Sequence, residues 1–197
     1  IRGTAGSDRI ISYSGNDQIY GMGGNDSLFP GIGSNRVYAG DGDDHIQVET
    51  PDVIIDGGNG IDTLVISGSL QSKELRIDLK DGHLNILGGG QASNSTNLIN
   101  IENIEATNVR KTEIISSQDT NKITSGVGDD TIESVGFMDR VVTNSGDDNI
   151  TIISLPASID GGDGLDKLSI SGDNFAEKLI IDLANNTIQD QTTSQST

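Results

Sequence analysis

Aspartates recur in this chain at a spacing that only a repeating backbone would bring together. Asp8, Asp17, Asp26, Asp44 and Asp62 fall on one nine-residue clock, and Asp130, Asp139, Asp148 and Asp166 fall on a second. A glycine stands two residues ahead of most of them, at Gly6, Gly15, Gly24, Gly42 and Gly60, then at Gly128, Gly146 and Gly164. If two blocks make one coil, carboxylates 18 residues apart stack at the inter-strand spacing of about 4.8 Å. Two carboxylates that close repel by roughly 0.9 kcal/mol even at the dielectric of bulk water. Such a stack therefore calls for a cation. The chain has no Cys and two His, so the available donors are carboxylate and loop carbonyl oxygens. That is the ligand set of a hard divalent ion, with calcium favoured over magnesium where six or more protein oxygens converge.

The elements that must hold these groups follow from the blocks themselves. Counting from Gly3, they read GTAGSDRII, SYSGNDQIY, GMGGNDSLF, PGIGSNRVY, AGDGDDHIQ, VETPDVIID and GGNGIDTLV. The eighth positions are Ile10, Ile19, Leu28, Val37, Ile46, Ile55 and Leu64. In the second array they are Ile114, Ile123, Ile132, Val141, Ile150, Ile159 and Leu168. Every one of the fourteen is aliphatic. A loop followed by a short strand with one inward apolar residue, repeated every nine residues, predicts an all-β parallel β-roll, a β-solenoid of two parallel sheets with the eighth side chains between them.

The arrays are related by a shift of 104 residues, DGGNGIDTLVIS at Asp56 matching DGGDGLDKLSIS at Asp160. Since 104 is not a multiple of nine, an insert must interrupt each array. The expected organisation is two tandem rolls with β-hairpin inserts. The first unit spans 1–106, with its roll at 3–65 and its insert at 66–106; the second spans 107–197, with its roll at 107–169 and a partial insert at 170–197. In the first insert Leu75, Ile77 and Leu79 alternate, Asp81 and Gly82 supply turn chemistry, and Leu84 and Ile86 resume the alternation, which is a hairpin pattern. Residues 87–97 read as a loop rich in Gly and Ser, and 99–106 as a strand leading into the second array. With no initiator Met and a second unit that stops early, the chain reads as a piece of a longer array.

Charge and composition remove several functions. Twelve Lys and Arg against 30 Asp and Glu give a formal charge of −18, which a phosphate backbone repels, so no nucleic-acid partner is expected. No apolar run approaches the ~20 residues of a membrane span, so no membrane insertion is expected. An EF-hand fails on spacing, because Gly42 follows Asp41 at the second loop position and no Glu closes twelve residues. No Ser, His and Asp constellation is suggested, and the regular acids are explained by stacking, so the chain is not read as an enzyme.

The blocks resemble the GGxGxDxUx nonapeptides of repeats-in-toxin (RTX) proteins, where U is a large aliphatic residue, as GMGGND, AGDGDD, GGNGID, SGVGDD and GGDGLD show. The resemblance covers both arrays but not the inserts. It implies a parallel β-roll with calcium between stacked loops. It further implies loop ligands around each aspartate: Gly6 with Asp8; Gly21, Gly23 and Gly24 with Asp26; Ala39, Asp41 and Gly42 with Asp44; and Gly57, Asn59 and Gly60 with Asp62. In the second array the implied set is Gly128 with Asp130, then Thr143, Ser145 and Gly146 with Asp148, and Gly161, Asp163 and Gly164 with Asp166.

Departures from the pattern segregate by edge. Asp8, Asp26, Asp44 and Asp62 leave three intervening sites on one edge of the first roll. Gly15, Asp17 and Asn35, followed by Val53 and Pro51, leave at most one weak site on the other. In the second roll Thr112 lacks a carboxylate, so Asp130, Asp148 and Asp166 leave two sites. The opposite edge carries Asn121, Asp139 and Ala157, with Phe137 and Leu155 in place of Gly, and apolar loop packing without ions is expected there, with little consequence from changing Asp139.

The expected function is a calcium-binding structural module that folds on calcium binding, within a large secreted or cell-surface bacterial protein such as an adhesin stalk or surface-layer component. The alternative is a calcium-dependent accessory or secretion module of an exoenzyme, such as a polysaccharide-modifying enzyme or protease. Expected partners are neighbouring repeats of the same parent chain and, in a weaker reading, cell-surface polysaccharide. The expected location is extracellular.

Overall fold

The computed structural model describes residues 1–51, 53–87, 96–154 and 158–171, and the backbone of 179–182 and 187–190. Each nonapeptide supplies one strand. The first array gives β1 (Arg9–Ile11), β2 (Gln18–Gly23), β3 (Ser27–Gly31), β4 (Asn35–Asp41), β5 (His45–Val48), β6 (Val53–Asn59) and β7 (Thr63–Ile66). The insert gives β8 (Glu74–Asp78), β9 (His83–Ile86), β10 (Thr96–Ile99) and β11 (Asn103–Glu105). The second array gives β12 (Lys111–Ile115), β13 (Lys122–Thr124), β14 (Thr131–Ser134), β15 (Arg140–Val142), β16 (Asn149–Ile152), β17 (Ser158–Asp160) and β18 (Lys167–Ile170). A hairpin of β19 (Leu179–Asp182) and β20 (Thr187–Asp190) follows.

Alternate strands enter opposite sheets. One sheet runs β1-β3-β5-β7-β11-β13-β15-β17, and the other runs β18-β16-β14-β12-β8-β9-β10-β6-β4-β2. Within the arrays the pairing is parallel and the register is 18 residues, as in Ile10 beside Leu28 and Ile132 beside Ile150. The molecule is therefore a parallel β-solenoid of about eight coils, a β-roll. Its core is the row of eighth-position side chains: all seven of the first array are buried, as are Ile114, Ile123, Ile132, Val141 and Ile150. Ile159 is half-buried and Leu168 is 40 % exposed. Both lie on the last strand of their sheet, with no further coil stacked on them among the described residues.

The insert is stitched into both sheets. Its hairpin forms as the alternation predicts, with Leu75 opposite Ile86 and Ile77 opposite Leu84. β8 then pairs in parallel with β12, and β10 with β6, leaving β9 as the only antiparallel strand between them among the described residues. β10 begins within what the sequence reads as loop, and 88–95 of that loop lie outside the described residues. The segment 99–106 is not one strand: Ile99 ends β10, and the chain turns before β11 joins the other sheet beside Leu64 of β7.

This routing adds half a coil. Strands before the insert that begin a repeat pair enter the first sheet, whereas their counterparts after it enter the second: β7 and β18, 104 residues apart in sequence, lie in different sheets. The carboxylate rows of the two arrays are thereby placed on opposite flanks of one continuous roll.

Candidate metal flanks

The nonapeptide loop explains its own glycines. At the fourth position the next coil's backbone passes so closely that a methyl group on Gly24 would meet Gly6, one on Gly42 would meet Gly24, and one on Gly60 would meet Gly42. Gly146 and Gly164 repeat the relation against Gly128 and Gly146. With φ of 128° and 139°, Gly42 and Gly60 also occupy backbone space that L side chains avoid.

Two hydrogen-bond ladders run along each flank. At the fifth position a side chain accepts from the amide one coil ahead, as Ser7 does from Asn25 (3.1 Å), Asn25 from Asp43 (3.0 Å) and Asp129 from Asp147 (3.0 Å). At the sixth position the direction reverses. Oδ1 of Asp26 accepts the Asp8 amide at 2.8 Å, Oδ1 of Asp44 that of Asp26 at 2.7 Å, and Oδ1 of Asp62 that of Asp44 at 2.8 Å. The second array repeats this with Thr112 to Asp130 (2.5 Å), Asp130 to Asp148 (2.7 Å) and Asp148 to Asp166 (3.1 Å).

The other carboxylate oxygen decides the chemistry. Oδ2 of Asp26, Asp44 and Asp62 is buried and accepts no hydrogen bond, and the same holds for Asp17 and Asp148. At Asp26 this oxygen faces the Ala39 carbonyl across the bare Cα of Gly21, where a methyl group would strike both. Two oxygens face one small space with no hydrogen between them, which is the environment that a divalent cation satisfies and an apolar or neutral filling does not. Burial first, then the neighbouring carboxylates, raise these groups against the opposing help of the amide ladder. Asp26 rises above its ordinary value, Asp44 reaches about 6 and Asp62 about 7. The donors thus fit calcium. No group of three or more His, Asp or Glu converges among the described residues, so each ion would be held by a carboxylate pair supplemented by carbonyls.

The remaining expected ligands fall into place unevenly. Gly21 and Gly23, Ala39 and Asp41, and Gly57 and Asn59 lie at the ends of β2, β4 and β6, side by side across the sheet. The Asp41 side chain is exposed and accepts from Asn59 at 2.8 Å, while Ser145 and Asp163 face each other in an isolated bridge. Asp8 is half-buried, and its Oδ2 accepts from the amide and hydroxyl of Thr4 at 2.6 and 2.9 Å. On the other flank, the Asn35 amide nitrogen donates to the carbonyls of Pro30 (3.0 Å) and Gly31 (3.4 Å), while its Oδ1 accepts the Asp17 amide at 2.9 Å. Gly15 stacks under Gly33.

In the second array a hydroxyl stands beside Asp130 where Asp26 has bare glycine, Ser125 taking the place of Gly21. Oδ2 of Asp130 accepts from the Ser125 hydroxyl at 2.6 Å and the Gly126 amide at 2.9 Å. Burial still raises Asp130, with the Ser125 hydroxyl the leading opposing influence. Thr143 donates to the Gly161 carbonyl at 2.8 Å. The apolar packing expected around Asp139 is not what forms. Its loop is not packed by apolar groups, since Phe137 is exposed; instead Asp139 is fully buried and accepts from Ser116, Ser134, Gly136 and the Asn121 amide at 2.8–3.2 Å. Leu155 and Ala157, on the same edge, lie outside the described residues. The trace of the Asp139 network in the sequence is Ser116 and Ser134 at the first position of their blocks, where the residues 104 positions earlier are Ser12 and Pro30, but the residue types alone do not say where these hydroxyls point.

One participant lies outside the nonapeptides. Oε2 of Glu102 accepts the Asp62 amide at 2.8 Å and so continues the sixth-position ladder into the insert. Its trace in the sequence is Glu102 two residues before the buried Ile104, the spacing of Asp62 to Leu64, without the preceding glycine.

The fold and these flanks define a β-roll built of stacked nonapeptides, with loop oxygens that fit calcium. Residues 2–37 and 29–49 match the family described as RTX calcium-binding nonapeptide repeat (4 copies), and the chain carries those repeats over 2–49. No curated protein matches the chain.

Proposed function

We propose that the chain is a calcium-closed structural segment of a large secreted or surface-exposed bacterial protein, supplying length and stiffness in the manner of an adhesin stalk or a surface-layer component. The observation that carries the reading is the row of buried, unpartnered Oδ2 atoms on Asp26, Asp44 and Asp62, one per coil. Three such charges in a net −18 chain oppose closure of the roll unless cations accompany them. Ion binding is then folding free energy. Low calcium inside a cell leaves the first array loose, and calcium outside closes it. The uninterrupted pairing of both sheets through the insert supports a scaffold role, because about eight coils at about 4.8 Å make a single rod segment of roughly 38 Å.

Circular dichroism and small-angle scattering across a calcium titration test this. Strand signal and a rod-like profile should develop together, with Asp26→Ala plus Asp44→Ala shifting the transition to higher calcium and reducing its cooperativity. A roll fully formed in chelator and indifferent to calcium would overturn the reading.

A further inference from the structure

We propose that Asp62, Glu102 and the carbonyl of Asn100 form an additional divalent-cation site, built by the insert at the end of the first array and not by a pair of nonapeptides. The inference rests on the calcium reading above and extends it to residues outside the repeat. Asp62 is fully buried; its Oδ1 accepts the Asp44 amide at 2.8 Å, and its Oδ2 accepts nothing. That free oxygen shares with the Asn100 carbonyl of the insert the space over the bare Cα of Gly57, where a methyl group would collide with the Asp62 side chain and the carbonyl alike. The arrangement repeats that of Asp26 Oδ2 and the Ala39 carbonyl over Gly21.

Glu102 supplies the second carboxylate. Its Oε2 takes the Asp62 amide, the role that Asp62 Oδ1 plays for Asp44. The amides of Glu102 and Asn103 both donate to the Asp62 carbonyl, at 3.2 and 2.9 Å, and so fix the two segments against each other. A nonapeptide carries its carboxylate five positions after its first-position carbonyl, as from Ala39 to Asp44, whereas the insert manages with two, from Asn100 to Glu102. The extra methylene of Glu spans what the shorter turn does not. A cavity of about 110 Å³, whose lining includes the polar Asn100, Glu102, Ser117 and Asp119 beside Leu79 and Leu98, opens next to Glu102, with room for water. Beyond it the Asn121 amide nitrogen donates to the Glu102 carbonyl at 2.8 Å, and the ladder passes from carboxylates to neutral hydrogen bonding.

Such an ion would staple the last coil of the first array to the strand that opens the second half of the roll. Anomalous diffraction from crystals of the full chain grown in calcium tests it directly. A peak at about 2.4 Å from Asp62 Oδ2 and the Asn100 carbonyl is expected. Peaks at Asp26 and Asp44 with none beside Glu102 would overturn this site alone, and no peak on either flank would overturn the calcium reading with it. Native mass spectrometry in calcium gives a second measure. Glu102→Gln, which keeps an acceptor for the Asp62 amide but not the charge, should carry one ion fewer than the unmodified chain; equal ion counts would overturn the site.

Discussion

Asp44 and Asp139 occupy the same position of their nonapeptides, are both buried, and lie on the same flank of the roll. Yet one has an oxygen without a partner, and the other has both oxygens occupied by hydroxyl and amide donors. The difference comes from the first residue of the block and its stacked neighbour. Ala39 offers no side-chain donor, whereas Ser134 and, one coil back, Ser116 offer one each. A carboxylate in this loop is thus left with a free oxygen or made the centre of a hydrogen-bond network according to whether a hydroxyl five positions ahead, or one coil back from it, aims at the carboxylate; Thr143 gives its hydroxyl to the Gly161 carbonyl, and Asp148 keeps a free Oδ2. Asn35 shows a third solution, in which an amide nitrogen donates to the carbonyls that an ion would otherwise draw together.

Calcium removal should separate the two regions most. In chelator, amide hydrogen exchange in the first array, read at Leu28, Ile46 and Leu64, should accelerate about 100-fold or more, the effect of about 2.7 kcal/mol of linked binding. Around Ile123, Ile132 and Val141 the change should stay below about tenfold, since hydroxyl and amide donors there do the work of an ion. Equal acceleration in both arrays would erase the distinction.

Single substitutions sharpen it. Asp139→Ala should lower stability by about 3 kcal/mol in denaturant melts whether or not calcium is present, because several buried donors lose their acceptor. Asp44→Asn should cost about 2 kcal/mol in calcium but be neutral or stabilising in chelator, since it removes a buried charge and offers the donors that Asn35 provides. A calcium-dependent Asp139→Ala, or an Asp44→Asn harmful in both conditions, would contradict the assignment.

The pH dependence of the metal-free protein gives a smaller, signed test. Burial, ahead of neighbouring charge, holds Asp44 at about 6 and Asp62 at about 7 when folded, above the unfolded value of 3.8. The folded state therefore binds more protons than the unfolded state between about pH 4 and 7, and stability falls as pH rises through that window. The melting temperature in chelator should be higher at about pH 5 than at about pH 8. In saturating calcium the order should reverse, because protons compete with the ion.

The smallest effects belong to the hydroxyls. Ser134→Ala should cost about 1 kcal/mol with or without calcium. Ala39→Ser should raise metal-free stability by about 1 kcal/mol and weaken the response to calcium, moving one coil of the first array toward the behaviour of the second. Denaturant melts in calcium and in chelator read both.

Much of this was legible in the residues. The aliphatic eighth positions define the core from Ile10 to Ile150 because a nine-residue strand-and-loop unit sends the middle residue of each short strand inward. Asp26, Asp44 and Asp62 were identifiable as a stack because an 18-residue register follows from two blocks per coil. The polar satisfaction of Asp139 was not, because whether Ser134 aims its hydroxyl at a carboxylate or, like Ser12, at a carbonyl depends on differences in loop path that the repeat pattern does not encode. Glu102 escaped because its turn lacks the glycine that stands ahead of Asp26, Asp44 and Asp62 in the same row.

The sequence alone determined the period, the solenoid, the buried aliphatic row and the hard-oxygen character of the loops, since each follows from which residue types recur and how far apart. Tertiary structure decided which carboxylates face one another and which are already satisfied. The insert's three strands in one sheet and one in the other turn the second array by half a coil, set its carboxylates on the far flank, and bring Glu102 beneath Asp62. No periodicity carries that information, because it resides in how a non-repeating segment crosses between the sheets.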